Sequence, residues 1–424
     1  MDLVIKGGRV IDPASNLDAV ADILVENGKI AKVSNDIPAN GKEIIDAKDK
    51  IVMAGIVDMH VHLREPGRED KETVFSGTRA ALKGGVTTVL AMPNTTPALD
   101  SSSSVKLLQD IIKKSAQANV FIAGAITKER LGQQLTDIAS LKREGIIALT
   151  DDGASVDKDE VLSEAFNKAK EQSVLVICHC EDKALSANGA VNLGFISTRL
   201  GLRGISPESE YKRVERDINL AKDSQCAVHI AHVSCKESVE IIAQAKKKGI
   251  KVTAETAPHY FALTEEALLR YNTNMKINPP LRSKEDVRAI KEGLREGIID
   301  AIASDHAPHT ENEKDIEFER AEFGAIGLET ELAVSITELV DTGILSWPEL
   351  IKKMAFNPSR ILGINKGTLK SGSDADIIVV APDKEWTVAK EGLLSKSKNS
   401  PFIGMKLKGL VEYTICGGKI AYKQ

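Results

Sequence analysis

The chain has 424 residues, 42% hydrophobic and 28% charged, which suits one large domain of about 250 to 300 residues and a smaller companion. Its formal net charge of -5, with Lys and Arg scattered along the length, lacks the basic footprint that nucleic-acid binding requires. No run approaches the roughly 18 apolar residues of a membrane span, no secretory segment opens the chain, and five dispersed cysteines form no disulfide framework, so a cytoplasmic protein with reduced thiols is expected.

From the amino end, short β-type runs at residues 2–12 and 22–33 are separated by the turn signals Gly7-Gly8 and Asn27-Gly28. Residues 375–381 and 410–422 repeat this style at the carboxyl end, where Cys-Gly-Gly-Lys (416–419) echoes Lys-Gly-Gly-Arg (6–9). Both ends are therefore expected to join one small composite β-sandwich, made of residues 1–54 and 365–424.

Between them, residues 55–364 alternate short apolar β-type runs with amphipathic helical stretches, the pattern of parallel strands with helical crossovers. Strands are predicted at 56–62, 86–94, 120–127, 146–152, 174–181, 227–234, 251–259 and 300–306, with helices at 71–83, 105–118, 160–172, 236–248 and 284–295 among the connections. Eight strand–helix units predict an α/β fold of the (β/α)8 TIM-like barrel type. A doubly wound open sheet is the alternative, but no glycine-rich phosphate loop follows the first strand.

Chemically capable residues gather at the carboxyl ends of these runs, the rim where barrels of this kind hold their sites. His60 and His62 close the first strand and, by alternation, point the same way. His179, His232 and Asp305 end the fifth, sixth and eighth strands. Four imidazoles and a carboxylate suit Zn²⁺ or a similar divalent ion. Cys178 and Cys180 flank His179 and must face the other way, which fits buried, inert thiols. The same alternation turns His229 away from His232 and His306 away from Asp305, and His259 is assigned to structure.

Asp-Met-His-Val-His-Leu-Arg-Glu-Pro-Gly-Arg (58–68) and Ala-Ser-Asp-His-Ala-Pro-His (303–309), followed by Lys314, resemble the two signatures of the dihydroorotases, a family of the amidohydrolase superfamily. The likeness continues through Ala-Met-Pro-Asn-Thr (91–95), Leu-Thr-Asp-Asp-Gly (149–153), Ile-Asn-Pro-Pro (277–280) and the segment from Phe323-Gly324 to Glu329, so it spans the barrel. The resemblance implies one or two Zn²⁺ per subunit, one held by His60, His62 and Asp305 and a second by His179 and His232. Many related amidohydrolases bridge the metals with a carboxylated lysine, whereas here the fourth strand ends in Asp151-Asp152; motif position favours Asp152 as the bridge.

The implied reaction is the reversible hydrolysis of (S)-dihydroorotate to N-carbamoyl-L-aspartate in pyrimidine biosynthesis. Bound metal lowers the pKa of a coordinated water to about 7, and Asp305 would take the water proton and hand it to the departing amide nitrogen. Arg64 matches the ring carboxylate; allantoinases typically carry asparagine there. His62, Leu63, Asn94, Asn278, His309 and backbone groups at Phe323 and Gly324 complete the implied substrate contacts. Another cyclic-amide hydrolase, an allantoinase or dihydropyrimidinase, is the nearest alternative, and a catalytically silent scaffold the remoter one. A homodimer, and association with aspartate transcarbamoylase, are family-level expectations, as are the absence of nucleic-acid and membrane partners. Segments 153–159 and 310–319 read as solvated loops that could also cover the site.

Overall fold

Five strands open the chain: β1 (Leu3–Asp12), β2 (Leu17–Glu26), β3 (Lys29–Ser34), β4 (Glu43–Asp46) and β5 (Ile51–Ala54). The structure is a computed structural model describing residues 2–39 and 41–424. Next come β6 (Ile56–Val61), β7 (Val86–Ala91), β8 (Asn119–Gly124), β9 (Ala148–Leu149) and β10 (Leu175–Cys178). A two-stranded insert, β11 (Val191–Asn192) with β12 (Gly204–Ile205), precedes β13 (Val228–Ile230), β14 (Val252–Thr256) and β15 (Ala301–Ile302). Strands β16 (Ile377–Thr387), β17 (Lys406–Cys416) and β18 (Lys419–Lys423) follow.

The first and last groups form one hydrogen-bonded sheet in the order β18-β17-β16-β5-β1-β2-β3, with β4 also on β1. Its two halves meet where β16 runs antiparallel to β5, Ile377 opposite Ala54. Both termini thus build one β domain, as their matching glycine turns and apolar runs suggested.

The second sheet, in the order β15-β14-β13-β10-β9-β8-β7-β6, is parallel throughout and closes through a parallel bridge between Val61 and His306. The (β/α)8 barrel is therefore present. Val57, Met59, Leu90, Met92, Ala123, Ala148, Ile177, Ala231, Ala301 and Ala303 form a single buried cluster. Residues drawn from or just past seven strands can meet only inside the ring, so this cluster is the floor beneath the rim. Helices such as Val74–Lys83 and Lys284–Arg295 pack outside, each started by a capping box, Thr73 with Ser76 and Ser283 with Asp286.

The predicted strands overrun the observed ones at their carboxyl ends, most at β13 and β15, and β9 and β15 keep only two residues each. The cause is local competition for backbone amides. Thr150 Oγ1 accepts from Asp152 N at 3.0 Å and Ser304 Oγ from His306 N at 3.1 Å, so the chain leaves the ladder where Asp152 and Asp305 must turn inward. In β6 the difference is a bulge: Asp58 pairs with Val89 but Val61 with Ala91, three residues against two. The extra residue lets Val57 and Met59 fill the floor while His60 and His62 still aim at the rim.

A buried ion pair braces the sixth and seventh strand ends. Glu210 accepts from Ser234 N at 2.9 Å, Cys235 N at 3.2 Å and Arg282 at 3.2 Å, and Arg282 donates onward to Asn192 Oδ1 at 2.8 Å. Burial alone would raise the Glu210 carboxyl, but the Arg282 charge and these donors hold it below the ordinary carboxylate range. Such a group contributes stability that is full above the unfolded value of 4.5 and lost as pH falls through the lower folded value. Replacing Arg282 with Met strands a buried charge and should cost about 3–5 kcal/mol at neutral pH. In urea unfolding followed by circular dichroism, the gap between variant and wild type should shrink as pH drops below 4.5; a gap that widens there would contradict the assignment.

Candidate metal centre

Asp152 lies at the middle of the rim. Its Oδ1 is 3.2 Å from His60 Nε2, 3.4 Å from His179 Nδ1 and 3.5 Å from His232 Nε2, while its Oδ2 is 3.4 Å from His62 Nε2. Asp305 Oδ1 adds distances of 3.3 Å to His62 Nε2 and 3.6 Å to His60 Nε2. Two sets of donor atoms, His60–His62–Asp305 and His60–Asp152–His232, each fall within 4.8 Å of one another. His60 belongs to both, and His179 Nδ1 joins the second side at 2.7 Å from His232 Nε2. All six residues named from the sequence as metal ligands therefore converge.

Asp151 goes elsewhere. It accepts from Thr127 N at 3.0 Å and from the Thr127 hydroxyl, turned away from the imidazoles as strand alternation requires.

Whether this cluster fits a cation can be tested on its own atoms. His60 Nε2 and Asp152 Oδ1 are buried and neither has a hydrogen-bond partner, although they face each other. Unpartnered buried polar atoms are rare and costly, and these two belong to the donor set His60–Asp152–His232, where a shared cation would satisfy both. Tautomers agree with that reading. Glu255 Oε1 sits 2.7 Å from His60 Nδ1, and Asn94 Oδ1 sits 2.8 Å from His62 Nδ1. Each acceptor takes the Nδ1–H, so both rings present an Nε2 lone pair to the centre.

Burial would raise the Asp152 and Asp305 carboxyls, yet the surrounding imidazoles, His60 foremost, outweigh it; Asp152 lies well below the ordinary range and Asp305 at about 2. Both stay ionised at neutral pH, so the site needs positive charge from protons or from a divalent ion. Nitrogen and carboxylate donors of this kind suit zinc or a similar borderline metal. A thiolate alternative is disfavoured, because burial pushes Cys178 and Cys180 far up.

The substrate residues named from the sequence gather beside this centre. Arg64, whose φ of 61° turns its side chain back over the rim, donates from Nε to Pro308 O at 3.1 Å and faces His309 Nε2 at 3.3 Å. Asn278 Nδ2 donates to Glu181 Oε2 at 3.1 Å, and the same oxygen is 3.4 Å from His179 Nε2. Gly324 has φ 138° and passes so near that a Cβ would lie 3.0 Å from His309 Nε2. Its own amide donates to Lys276 O at 2.9 Å, and its carbonyl accepts from Lys314 and Asn399 at 3.0 and 3.1 Å. Phe323 lies partly exposed next to it, its ring 4.5 Å from Lys276 Nζ. Leu63 is packed into the apolar core, which leaves only its backbone for a ligand. A cavity of about 440 Å³ opens beside His309, with Asn274, Lys314 and Asn399 in its wall.

Comparison with known proteins agrees with this geometry. The Dihydro-orotase-like family matches residues 49–238. A dihydroorotase of Elusimicrobium minutum is 54% identical over 99% of this chain and 97% of its own length, and one of Geobacter metallireducens is 50% identical over the whole of both. The chain belongs to the dihydroorotase family. Among solved structures, the L-hydantoinase (dihydropyrimidinase) of Arthrobacter aurescens superposes with a TM-score of 0.89 at 27% identity, covering 99% of this chain and 95% of that one. A D-hydantoinase gives 0.88 at 26% identity with the same coverage.

Dihydroorotase-family motifs do not single out every residue that matters here. Glu255 and His229 are the clearest omissions: His229 Nε2 is 3.3 Å from Glu255 Oε2, and its Nδ1 is 2.8 Å from Thr253 Oγ1. Alternation from His229 to His232 fails because His232 has φ 36°, a left-handed turn that brings both rings inward. The signal for Glu255 was available, since a carboxylate in the middle of a buried barrel strand needs a partner. Neither His306 nor His259 belongs to either set of converging donor atoms: His306 faces Glu72 at 3.4 Å, and His259 lies edge-on against Tyr260.

Metal content measured by elemental analysis should separate these roles. Asp152→Asn should lose at least one equivalent and Asp151→Asn should retain wild-type content, while Glu255→Gln should weaken metal affinity about 10- to 100-fold by freeing the His60 ring. Equal metal in Asp152→Asn and wild type would remove Asp152 from the centre.

Proposed function

We propose that the chain interconverts (S)-dihydroorotate and N-carbamoyl-L-aspartate, at a centre holding one or two zinc ions between His60, His62, Asp152, His179, His232 and Asp305. The observation that carries this reading is a half-buried guanidinium, Arg64, beside the carboxylate–imidazole cage. A substrate must therefore bring both an anionic group and a hydrolysable amide, and dihydroorotate carries the two on one small ring.

A bound divalent ion supplies Lewis acidity at the ring carbonyl and an acidified water. The protein's own contribution begins with orientation. Arg64 stays cationic, since burial lowers it only to about 10, and it receives the ring carboxylate together with His309 and the Asn94 side-chain amide. Asn94 already uses its oxygen on His62, which leaves its Nδ2 as the donor for substrate. Asn278, tied to Glu181, bounds the opposite side.

Asp305, ionised and 3.3 Å from His62 Nε2, takes the proton released as water adds to the carbonyl carbon. The C–N bond of the ring then breaks, and Asp305 returns that proton to the departing nitrogen. In the cyclising direction the ureido nitrogen attacks the side-chain carboxyl carbon, Asp305 takes the nitrogen proton and returns it to the departing hydroxyl, and the C–O bond breaks to release water. No helix among the described residues is long and apolar enough to cross a membrane.

Three measurements test the reading. Purified, zinc-loaded protein should open dihydroorotate faster than hydantoin or dihydrouracil, and a preference for an uncharged ring would favour a hydantoinase-type activity instead. Arg64→Met should lower kcat/KM for dihydroorotate by about 100-fold, as expected from losing a charged hydrogen-bonded contact, and unchanged kinetics would remove Arg64 from the site. Anomalous scattering at the zinc edge should count the ions and locate them between the six named ligands.

A further inference from the structure

His309 carries an ambiguity that one neighbour resolves. It is buried, and both of its ring nitrogens face cations: Nδ1 lies 3.0 Å from Lys71 Nζ and Nε2 lies 3.3 Å from Arg64. Burial and these two charges keep the ring neutral, far below the ordinary histidine range. A neutral imidazole has one N–H and one lone pair, whereas ammonium and guanidinium groups only donate. One nitrogen can therefore accept from its cation, and the other must point an N–H at a second donor.

We infer that Lys71 is a positioning residue for substrate: by donating to Nδ1 it fixes His309 as the Nε2–H tautomer, and so makes Arg64 and His309 a two-donor clamp for one carboxylate. This rests on the reading of Arg64 and His309 as the carboxylate contact. Geometry supports the assignment of the proton. Lys71 is itself buried and is held from its other side by Glu313 Oε1 at 2.9 Å, which in turn accepts from Arg68 at 2.7 Å. The ammonium is thus fixed in place and aimed at Nδ1, while the Arg64–Nε2 approach at 3.3 Å is the longer of the two.

The competing tautomer is also visible. Glu313 Oε2 lies 3.7 Å from His309 Nδ1 and could take an Nδ1–H. Nε2 would then accept from Arg64, and the two groups meant for the ligand would satisfy each other. With Lys71 present, Arg64 and His309 are two donors facing each other with no acceptor between them, and an incoming carboxylate oxygen relieves both. Lys71 never touches the substrate in this arrangement; it decides which way His309 faces chemically.

The test uses the full-length, metal-loaded enzyme labelled with ¹⁵N at histidine, with His309 assigned by comparison with His309→Asn. Without substrate, long-range ¹H–¹⁵N spectra should give a protonated Nε2 and an unprotonated Nδ1 in the wild type and in Lys71→Arg, which also only donates. Lys71→Met should move the proton to Nδ1 and raise KM for dihydroorotate about tenfold or more, with kcat changed less than KM. A protonated Nδ1 in the wild type would overturn the proposal, as would a Lys71→Met enzyme that keeps the wild-type tautomer or the wild-type KM. The wild-type spectrum decides the matter even if Lys71→Met folds poorly. An enzyme with the expected tautomer but no turnover of dihydroorotate would count against the substrate reading and not against the tautomer.

Discussion

A carboxylate enclosed by four imidazoles is unstable in a protein interior unless positive charge sits among them. Asp152 is in that position, within 3.5 Å of nitrogen atoms from His60, His62, His179 and His232. The barrel brings these residues together from separate strands, and each is held by something other than its neighbours in the cage. The β6 bulge sets His60 and His62, the left-handed backbone at His232 and Asp305 turns those two inward, and Thr150 bends the chain toward Asp152. Backbone conformations of this kind cost energy and persist where the surrounding structure enforces them. Here that enforcement comes from a floor of close-packed Met, Leu, Ile and Ala side chains.

Around the cage, hydrogen bonding assigns each ring nitrogen a task. Glu255 and Asn94 take the Nδ1 protons of His60 and His62, while Thr253 meets His229 Nδ1 and the far nitrogen of that ring faces the second Glu255 oxygen at 3.3 Å. The pattern continues outward, since Glu181 links His179 to Asn278 and thereby joins the cation cage to the substrate side. Asn278 and the outer nitrogen of a cage histidine thus share one carboxylate oxygen, so a shift of either is felt by the other through Glu181.

Much of this was legible in the sequence, and for identifiable reasons. Apolar runs alternating with amphipathic helices specify a barrel, and chemically capable residues clustered at run ends specify its rim. His60, His62, His179, His232 and Asp305 were readable because they stand at those ends. Other features were not legible, because they depend on backbone departures from regularity. Simple alternation gives the right orientation for His60 and His62 without revealing the bulge that permits it, and the wrong one for His229, whose neighbour His232 adopts a positive φ. The side chain of Leu63, between His62 and Arg64, packs into the core, a direction that its place in the motif does not reveal. Lys71 and Asn399 carry no sequence signal, since each matters through contacts with residues far away in the chain.

Asn399 ties the loop around His309 to a distant part of the sequence. Its side chain accepts from His309 N at 3.2 Å and donates to Ala307 O and Gly324 O at 3.1 Å, pinning two stretches of the recognition loop from a point 90 residues further along than His309. The six cage residues all lie between positions 60 and 305. The segment 307–324 is thus fixed by a side chain from beyond the stretch that supplies the cage, so a change confined to the carboxyl-terminal part of the chain can shift His309 without touching any of those six residues.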